Sequence, residues 1–183
     1  MKHLVIDPSH SDLGFKIRHL MVSNVKGTLT NYSGGMHYTS EDMSDAQIRF
    51  EAEVNSISTG NSDRDAHLNG EDFFNTERFP KMYFESTYLN LTDGKMRGEM
   101  TIKDTTKTID LLVEYNGKST DPWGNTKHGF EITGVINRSD FDLTWNATLE
   151  TGGVLLSDEV KLNLDVQMME LVGEMEPQTE TAA

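Results

Sequence analysis

The sequence predicts an all-β chain closed into an eight-stranded antiparallel barrel, with a short helical cap near residues 62–75. Three observations carry this. About eight segments alternate apolar and polar residues with period two, the pattern of a strand buried on one face. No long amphipathic helix is available to cover a sheet, so the sheet must cover itself as a barrel or a sandwich, and a barrel also removes edge strands. Only one stretch, Thr59 to Pro80, departs from strand and turn.

Asp7-Pro8-Ser9-His10-Ser11 reads as a turn after a short apolar run, Leu4-Val5-Ile6. Leu13, Phe15, Ile17 and His19 then alternate with Gly14, Lys16 and Arg18, and Val25, Gly27 and Leu29 with Lys26 and Thr28. Gly34-Gly35 marks a turn or bulge before Met36-His37-Tyr38. Residues 39–45 form a polar loop. Ala46, Ile48, Phe50, Ala52 and Val54 then face one way, against Gln47, Arg49, Glu51 and Glu53.

In the central stretch, Ser62 followed by Asp65 resembles a capping box, and Gly70 is a stop of the kind that often needs positive φ. A second turn spans Glu71 to Asn75, and Phe79 is extended because Pro80 follows it. This segment carries Leu68, Phe73, Phe74 and Phe79 with Arg64, Asp65 and His67 beside them, which suits a plug, lid or floor at one barrel end.

Beyond Pro80, Met82, Phe84 and Ser86 share one parity. Asp93-Gly94 signals a hairpin into Met96, Gly98, Met100 and Ile102. Asp104 to Thr106 turns, and Ile109, Leu111, Val113 and Tyr115 follow. Asn116-Gly117 and Asp121-Pro122-Trp123-Gly124 bracket a loop before Phe130, Ile132, Gly134 and Ile136. Residues 137–149 are mixed, and Gly152-Gly153 breaks the chain. Val160, Leu162, Leu164, Val166 and Met168 close the fold. The organisation is one barrel domain over residues 1–170 and an acidic, disordered tail over 171–183.

The formal net charge of −14 argues against nucleic acid and against anionic membrane surfaces, both of which select for Lys and Arg. There is no cysteine, which excludes disulfides, thiol nucleophiles and thiolate metal sites and fits a reducing compartment. The first apolar run is too short for a signal peptide or membrane helix, so a soluble, cytoplasmic protein without stable membrane insertion is expected.

Catalytic signatures fail. Gly117-Lys118-Ser119 resembles the end of a phosphate loop, but the glycine required five residues earlier is Leu112. His10 and His19 are nine apart and face opposite ways on a regular strand, which weakens a paired metal site, and no cofactor or metal is expected. His19, on the apolar parity, reads as a hydrogen-bonded core histidine or a ligand contact. Arg64 reads as a salt-bridge partner of Asp63 or Asp65, as a tie between cap and barrel, or as a contact for a polar head group. Asn137-Arg138-Ser139-Asp140 reads as a turn with a structural ion pair. The inward parity also carries Met82, Met96, Met100 and Met168, side chains adaptable enough to fit a flexible apolar guest or simply to pack together.

Several separated motifs together resemble the YceI-like family of polyisoprenoid-binding proteins. They are Asp7-Pro8-Ser9-His10-Ser11 with Phe15-Lys16-Ile17-Arg18-His19-Leu20, Val25-Lys26-Gly27, Ser58-Thr59-Gly60, and Arg64-Asp65-Ala66-His67-Leu68 with Asp72-Phe73-Phe74. Phe79-Pro80, Phe84-Glu85-Ser86, Gly98-Glu99-Met100-Thr101-Ile102 and Ile136-Asn137-Arg138-Ser139-Asp140-Phe141 with Trp145-Asn146 complete the set. The resemblance runs from about Val5 to Met168. It implies an extended, lipocalin-like barrel with an elongated apolar pore, binding of long prenyl or acyl chains, and a homodimer. Many members are periplasmic, whereas this chain looks like the cytoplasmic kind. Two positions depart from the pattern: Asp104 stands where a turn glycine is usual, and Asp142 where Phe141 is usually followed by glycine.

The reading that results is non-enzymatic binding, storage or transport of a polyisoprenoid, prenyl quinone or fatty-acyl chain. On parity, the pore lining is Phe15, Ile17, Val25 and Leu29; Phe50 and Val54; Phe84, Met100 and Ile102; Leu111 and Val113; Phe130 and Ile132; Leu162 and Leu164. Leu68, Phe73 and Phe74 close one end, and His19, Arg64 and Asp65 form a polar end. The alternatives are a protein-interaction or stress-response module with a filled barrel, and an enzyme on an isoprenoid or acyl substrate using His19 with Asp65.

Overall fold

A computed structural model describes residues 1–171. The expected tail falls outside the described residues from 172 onward. Eleven strands form one antiparallel sheet: β1 (Lys2–Ile6), β2 (Asp12–His19), β3 (Ser23–Leu29), β4 (Tyr32–Tyr38), β5 (Gln47–Glu53), β6 (Ile57–Ser58), β7 (Lys81–Asn90), β8 (Lys95–Ile102), β9 (Thr105–Thr120), β10 (Thr126–Asn137) and β11 (Leu156–Glu170). Eight of them, in the order β1-β4-β5-β7-β8-β9-β10-β11, close on themselves through Leu4↔Glu170 and Ile6↔Met168. The remaining three lengthen the wall at one end. β2 follows β1 along the same partner, β11, and β3 and β6 pair outward from it. The chain therefore runs up and down around an all-β, extended, closed eight-stranded barrel, as expected.

The β1 strand escaped the sequence reading because only three apolar residues precede the Asp7-Pro8 joint. That joint bends one long leg into two strands. The Asp7 carboxylate accepts from the Ser9 hydroxyl (2.6 Å) and amide (3.1 Å), Lys127 Nζ (2.9 Å), His10 Nδ1 (3.1 Å) and Gln167 Nε2 (3.3 Å). These bonds, Ser9 foremost and then Lys127, hold the carboxyl well below the usual carboxylate range. A depressed folded-state pKa stabilises the fold above the unfolded value near ~4 and stops doing so as pH falls through the folded value. Asp7→Asn is expected to cost about 1–3 kcal/mol at neutral pH. In denaturant melts the gap from wild type should narrow below about pH 4; a gap independent of pH contradicts this role.

Three local expectations of the strands and turns change, and a fourth holds. Gly34 and Gly35 lie inside β4, where a Cβ on Gly34 would meet Ile6 Cδ1 at 2.7 Å, so close packing and not a turn requires the glycine. Asn116 and Gly117 do not open a loop: β9 continues to Thr120, and Asn116 is the extra residue of a bulge opposite Gly129 and Phe130. At Asp104, where the family pattern has a turn glycine, the backbone is not left-handed; Lys103 before it takes that conformation (φ 57°). Asp142 does adopt φ 58°, and its carbonyl accepts from Lys103 Nζ at 3.2 Å, so the two turns that depart from the family pattern touch.

The helix α1 (Ser62–Asn69) is capped by Asn61, whose side chain accepts from the Arg64 amide (2.9 Å), and not by Ser62. Gly70 does end it, but with φ −75°, so no left-handed backbone is involved. Positive φ is needed before the helix, at Gly60 (75°), where the chain leaves β6. Val54, expected on the lining face of a strand, instead begins a short 3-10 turn over Val54–Ser56 and is buried in the wall.

Candidate functional site

The barrel interior divides into two unlike halves. Around the end distal to β2, β3 and β6, the inward side chains Phe84, Leu89, Met96, Leu111, Val113, Phe130, Val166 and Met168 are buried against one another. Toward the other end the inward residues of β2, β3 and the first half of β11 are only half-buried, Phe15, Ile17, Val25, Leu29, Val160 and Leu162 among them. Their unburied faces look into an apolar cavity of about 320 Å³. A second apolar cavity of about 120 Å³ lies deeper. Leu13, Phe50, Met100, Leu162 and Leu164 border both, so the two chambers abut at this level of the bore.

The outer chamber takes in the expected residues Phe15, Ile17, His19, Val25, Leu29, Phe50, Met100, Ile102, Leu162 and Leu164, with Arg64, Leu68, Phe73 and Phe74 from the cap. Phe84, Leu111, Val113, Phe130 and Ile132 line the inner one. Val54 and Asp65 line neither. His19 is half-exposed on the chamber wall, which corrects its reading as a core histidine.

Glycines keep the bore open. A Cβ on Gly27 would stand 2.4 Å from Phe15 Cζ, and one on Gly98 would stand 2.4 Å from Phe84 Cζ. Each ring thus occupies the space that a side chain on the neighbouring strand would take.

The mouth is framed by the cap and by the 143–156 segment. Phe73, His67 and Trp145 form an aromatic cluster with ring centroids 4.8–5.2 Å apart. Trp145 is fixed through its backbone. Arg138 is 6% exposed, and its guanidinium donates to the carbonyls of Ser157 (2.9 Å), Leu143 (2.6 Å) and Trp145 (2.8 Å). Burial pushes its pKa below the usual arginine value while Asp158 opposes this. No ion pair of Arg138 occurs among the described residues, which corrects the structural ion pair expected there. Asn146 exchanges two bonds with the Leu156 backbone (2.8 and 3.0 Å) and so ties this segment to β11.

Polar side chains at the mouth are committed to structure. Arg64 donates from Nε to Thr59 Oγ1 (2.7 Å) and from Nη2 to Thr59 O (2.9 Å), so it ties cap to barrel and forms no salt bridge with Asp63 or Asp65. Asp65 accepts from the Thr59 amide (3.0 Å) and hydroxyl (2.5 Å). His67 Nε2 meets Asp72 Oδ2 at 2.8 Å. Asp65 is thus held away from the chamber that His19 lines, and the structure does not assemble the catalytic pair considered from sequence.

Sequence reasoning missed Trp145, Arg138, Leu143, Leu155 and Leu156 as wall residues. Their segment has no strand periodicity, and the usable signal was the aromatic and basic residues of Asn137-Arg138-Ser139 and Trp145-Asn146. At the opposite pole a polar floor closes the barrel. His128, 1% exposed, meets Tyr115 Oη at 2.9 Å through Nδ1, and Glu170 at 3.5 Å through Nε2. Burial lowers the His128 pKa against the pull of Glu170.

Residues 4–168 match the model of the YceI-like domain. A UPF0312 protein of Staphylococcus aureus strain N315 is 38% identical over 168 residues, covering 91% of this chain and 97% of the relative. Among solved structures, the YCEI protein of Campylobacter jejuni is 33% identical with a TM-score of 0.70, covering 91% of this chain and 96% of that one. A polyisoprenoid binding domain from Saccharophagus degradans shares the fold at a TM-score of 0.65 and 14% identity, covering 92% of this chain and 98% of that one.

Proposed function

This chain belongs to the YceI-like domain family, and on that premise we propose that it is a non-enzymatic carrier or store for one long apolar chain of polyisoprenoid, prenyl quinone or fatty-acyl type. The observation that carries the reading is the pair of apolar chambers with Phe50, Met100 and Leu164 as a common boundary, which the reading takes as a neck open to the guest. The outer chamber is about twice the ~150 Å³ apolar cavity that takes up benzene, so it suits a longer guest. Each methylene buried there stabilises the complex by ~0.8 kcal/mol, so ten such groups reach ~8 kcal/mol before ordering costs. The likeness in fold to a domain that binds polyisoprenoid points to the same ligand class. The reading is non-catalytic because the mouth side chains Arg64, Asp65, His67 and Arg138 spend their hydrogen bonds on the protein itself. It places the carrier in the cytoplasm, a setting that a chain without cysteine fits.

Native mass spectrometry of gently purified protein, followed by organic extraction, tests the proposal. A single prenyl or acyl compound at one per barrel is the expected result. A protein that carries none and also ignores polyprenol, quinone and fatty-acid probes contradicts it. The filled-barrel alternative is disfavoured by the half-exposed inward faces of Phe15, Ile17 and Val25.

A further inference from the structure

The outer face of β2, β3 and β11 carries a row of like charge. Lys161 stands opposite Lys16, and Lys16 stands opposite Lys26, with Arg18 two residues further along β2. All four are exposed, and none forms an ion pair among the described residues. Like charges placed directly opposite destabilise an antiparallel pair, so folding gives no reason for the row. It is also unexpected in a chain of net charge −14. The acidic residues of the same strands lie apart from it: Asp12 and Asp165 face each other at the far end, and Asp158 is bonded to Ser139. Glu159 is the nearest carboxylate along β11.

The row leads to an apolar tip. The β2–β3 hairpin turns through Leu20, Met21 and Val22, which are 40%, 56% and 82% exposed. Leu20 and Met21 hold φ of 52° and 60°, positions where such a turn ordinarily has Asn or Gly. Apolar side chains are thus kept in water on backbone that disfavours them. Val154, also exposed, lies beside the tip, since the Leu20 amide donates to Leu155 O at 2.9 Å. The tip stands at the mouth: His19 just before it, Val25 just after it and Leu155 all line the outer chamber.

We propose that the Leu20-Met21-Val22 tip and the Lys16, Lys26, Lys161 and Arg18 row dock the barrel, mouth first, onto an anionic phospholipid surface. An apolar tip flanked by cations suits the headgroup boundary of such a surface. Glu159, two residues from Lys161, stands within the ~8 Å screening length at physiological salt and offsets part of the row, whereas Asp12 and Asp165, each four residues from Lys16 and Lys161, lie beyond it. Docking rests on the carrier reading for its purpose, delivery of an apolar chain without passage through water, but it is measurable without any bound chain.

The test is co-sedimentation of the full chain with vesicles of phosphatidylcholine alone and of phosphatidylcholine with about a third phosphatidylglycerol, an anionic fraction strong enough to attract exposed Lys and Arg. Wild type is expected on the anionic vesicles at low salt and off them at high salt. K16Q/K26Q should weaken docking roughly 25-fold, from about fivefold per charge. M21S/V22S should also weaken it, whereas K118Q, at the opposite pole, should not. Failure of wild type to sediment, or sedimentation unchanged in K16Q/K26Q and M21S/V22S, overturns the proposal. So does a dimer in analytical ultracentrifugation that the same substitutions dissociate, because the face then belongs to a second copy. Native mass spectrometry on the same samples separates the two readings. Bound lipid without docking removes only the docking proposal, and docking without bound lipid sustains it while removing the carrier.

Discussion

Met100→Arg is expected to lower affinity for a long polyprenyl chain at least a hundredfold while leaving the barrel folded. Met100 is aligned with Phe84 on β7, and Phe84 with Phe50 on β5, so the three form one inward row at the level where the chambers meet. A guanidinium on that row closes the neck. A chain then loses the inner chamber, and exclusion of about four methylenes costs ~3 kcal/mol, which is more than a hundredfold in affinity. The fold survives because Met100 is only partly buried and borders the outer chamber, along which an arginine stem can lie with its head toward water. Met100→Leu, similar in volume and uncharged, should bind nearly as wild type does. Short chains that fit the outer chamber alone should be affected less than long ones. Displacement of a bound polyprenyl probe, read beside a thermal melt, measures all three; equal affinity for long chains in folded Met100→Arg contradicts the neck.

Arg138→Met should destabilise the protein by about 3–5 kcal/mol. The side chain is nearly enclosed and donates three bonds to carbonyls of two separate segments, residues 143–145 and Ser157. Methionine fills comparable space but leaves the buried Leu143 carbonyl and the partly buried Trp145 and Ser157 carbonyls without their donor, and each such loss costs roughly 1–3 kcal/mol. Arg138→Lys keeps the charge but not the planar fork, so it should recover only part of the loss. Urea titration measures the stability. Emission from Trp145 should shift toward that of an exposed indole well before global unfolding, because its carbonyl is one of the three acceptors. A loss under about 1 kcal/mol would mean that the loop is held by Asn146 and the Leu155 and Leu156 backbone instead.

Most of the barrel was legible because its legs keep period two on a single buried face, and parity alone assigns Phe15, Phe50, Phe84, Met100, Phe130 and Leu162 inward. What parity cannot carry is the change of geometry inside a leg. Val54 shares the parity of Phe50 but sits on a 3-10 turn, and so packs in the wall. Asn116-Gly117 has turn residues yet serves a bulge, because β10 continues alongside it. The reverse holds at Leu20-Met21, where a hairpin forms without turn residues, imposed by the pairing of β2 with β3.

The site was half legible for the same reason. Strand residues of the chamber follow from alternation, but the mouth is made by irregular chain, where Arg138, Trp145 and Leu155 meet through hydrogen bonds to backbone that no spacing announces. The capping box expected of Ser62 and Asp65 does not form, and neither does the polar end expected of Asp65. With Asn61 as the cap, Asp65 is free to hold Thr59 instead. The difference between the two barrel halves was not legible at all, since Val166 and Val160 both alternate with polar residues on β11 and differ only in what faces them across the bore.

The central claim is that a single apolar guest occupies both chambers through the Met100 neck. The most direct measurement is a crystal structure of the protein with a long-chain polyprenol. Continuous electron density from the Phe73–Trp145 mouth, past Met100, to Phe130 and Met168 is the predicted result. Density confined to the outer surface of the barrel, or a bore in which Phe50, Met100 and Leu164 close on one another around no ligand, would contradict it.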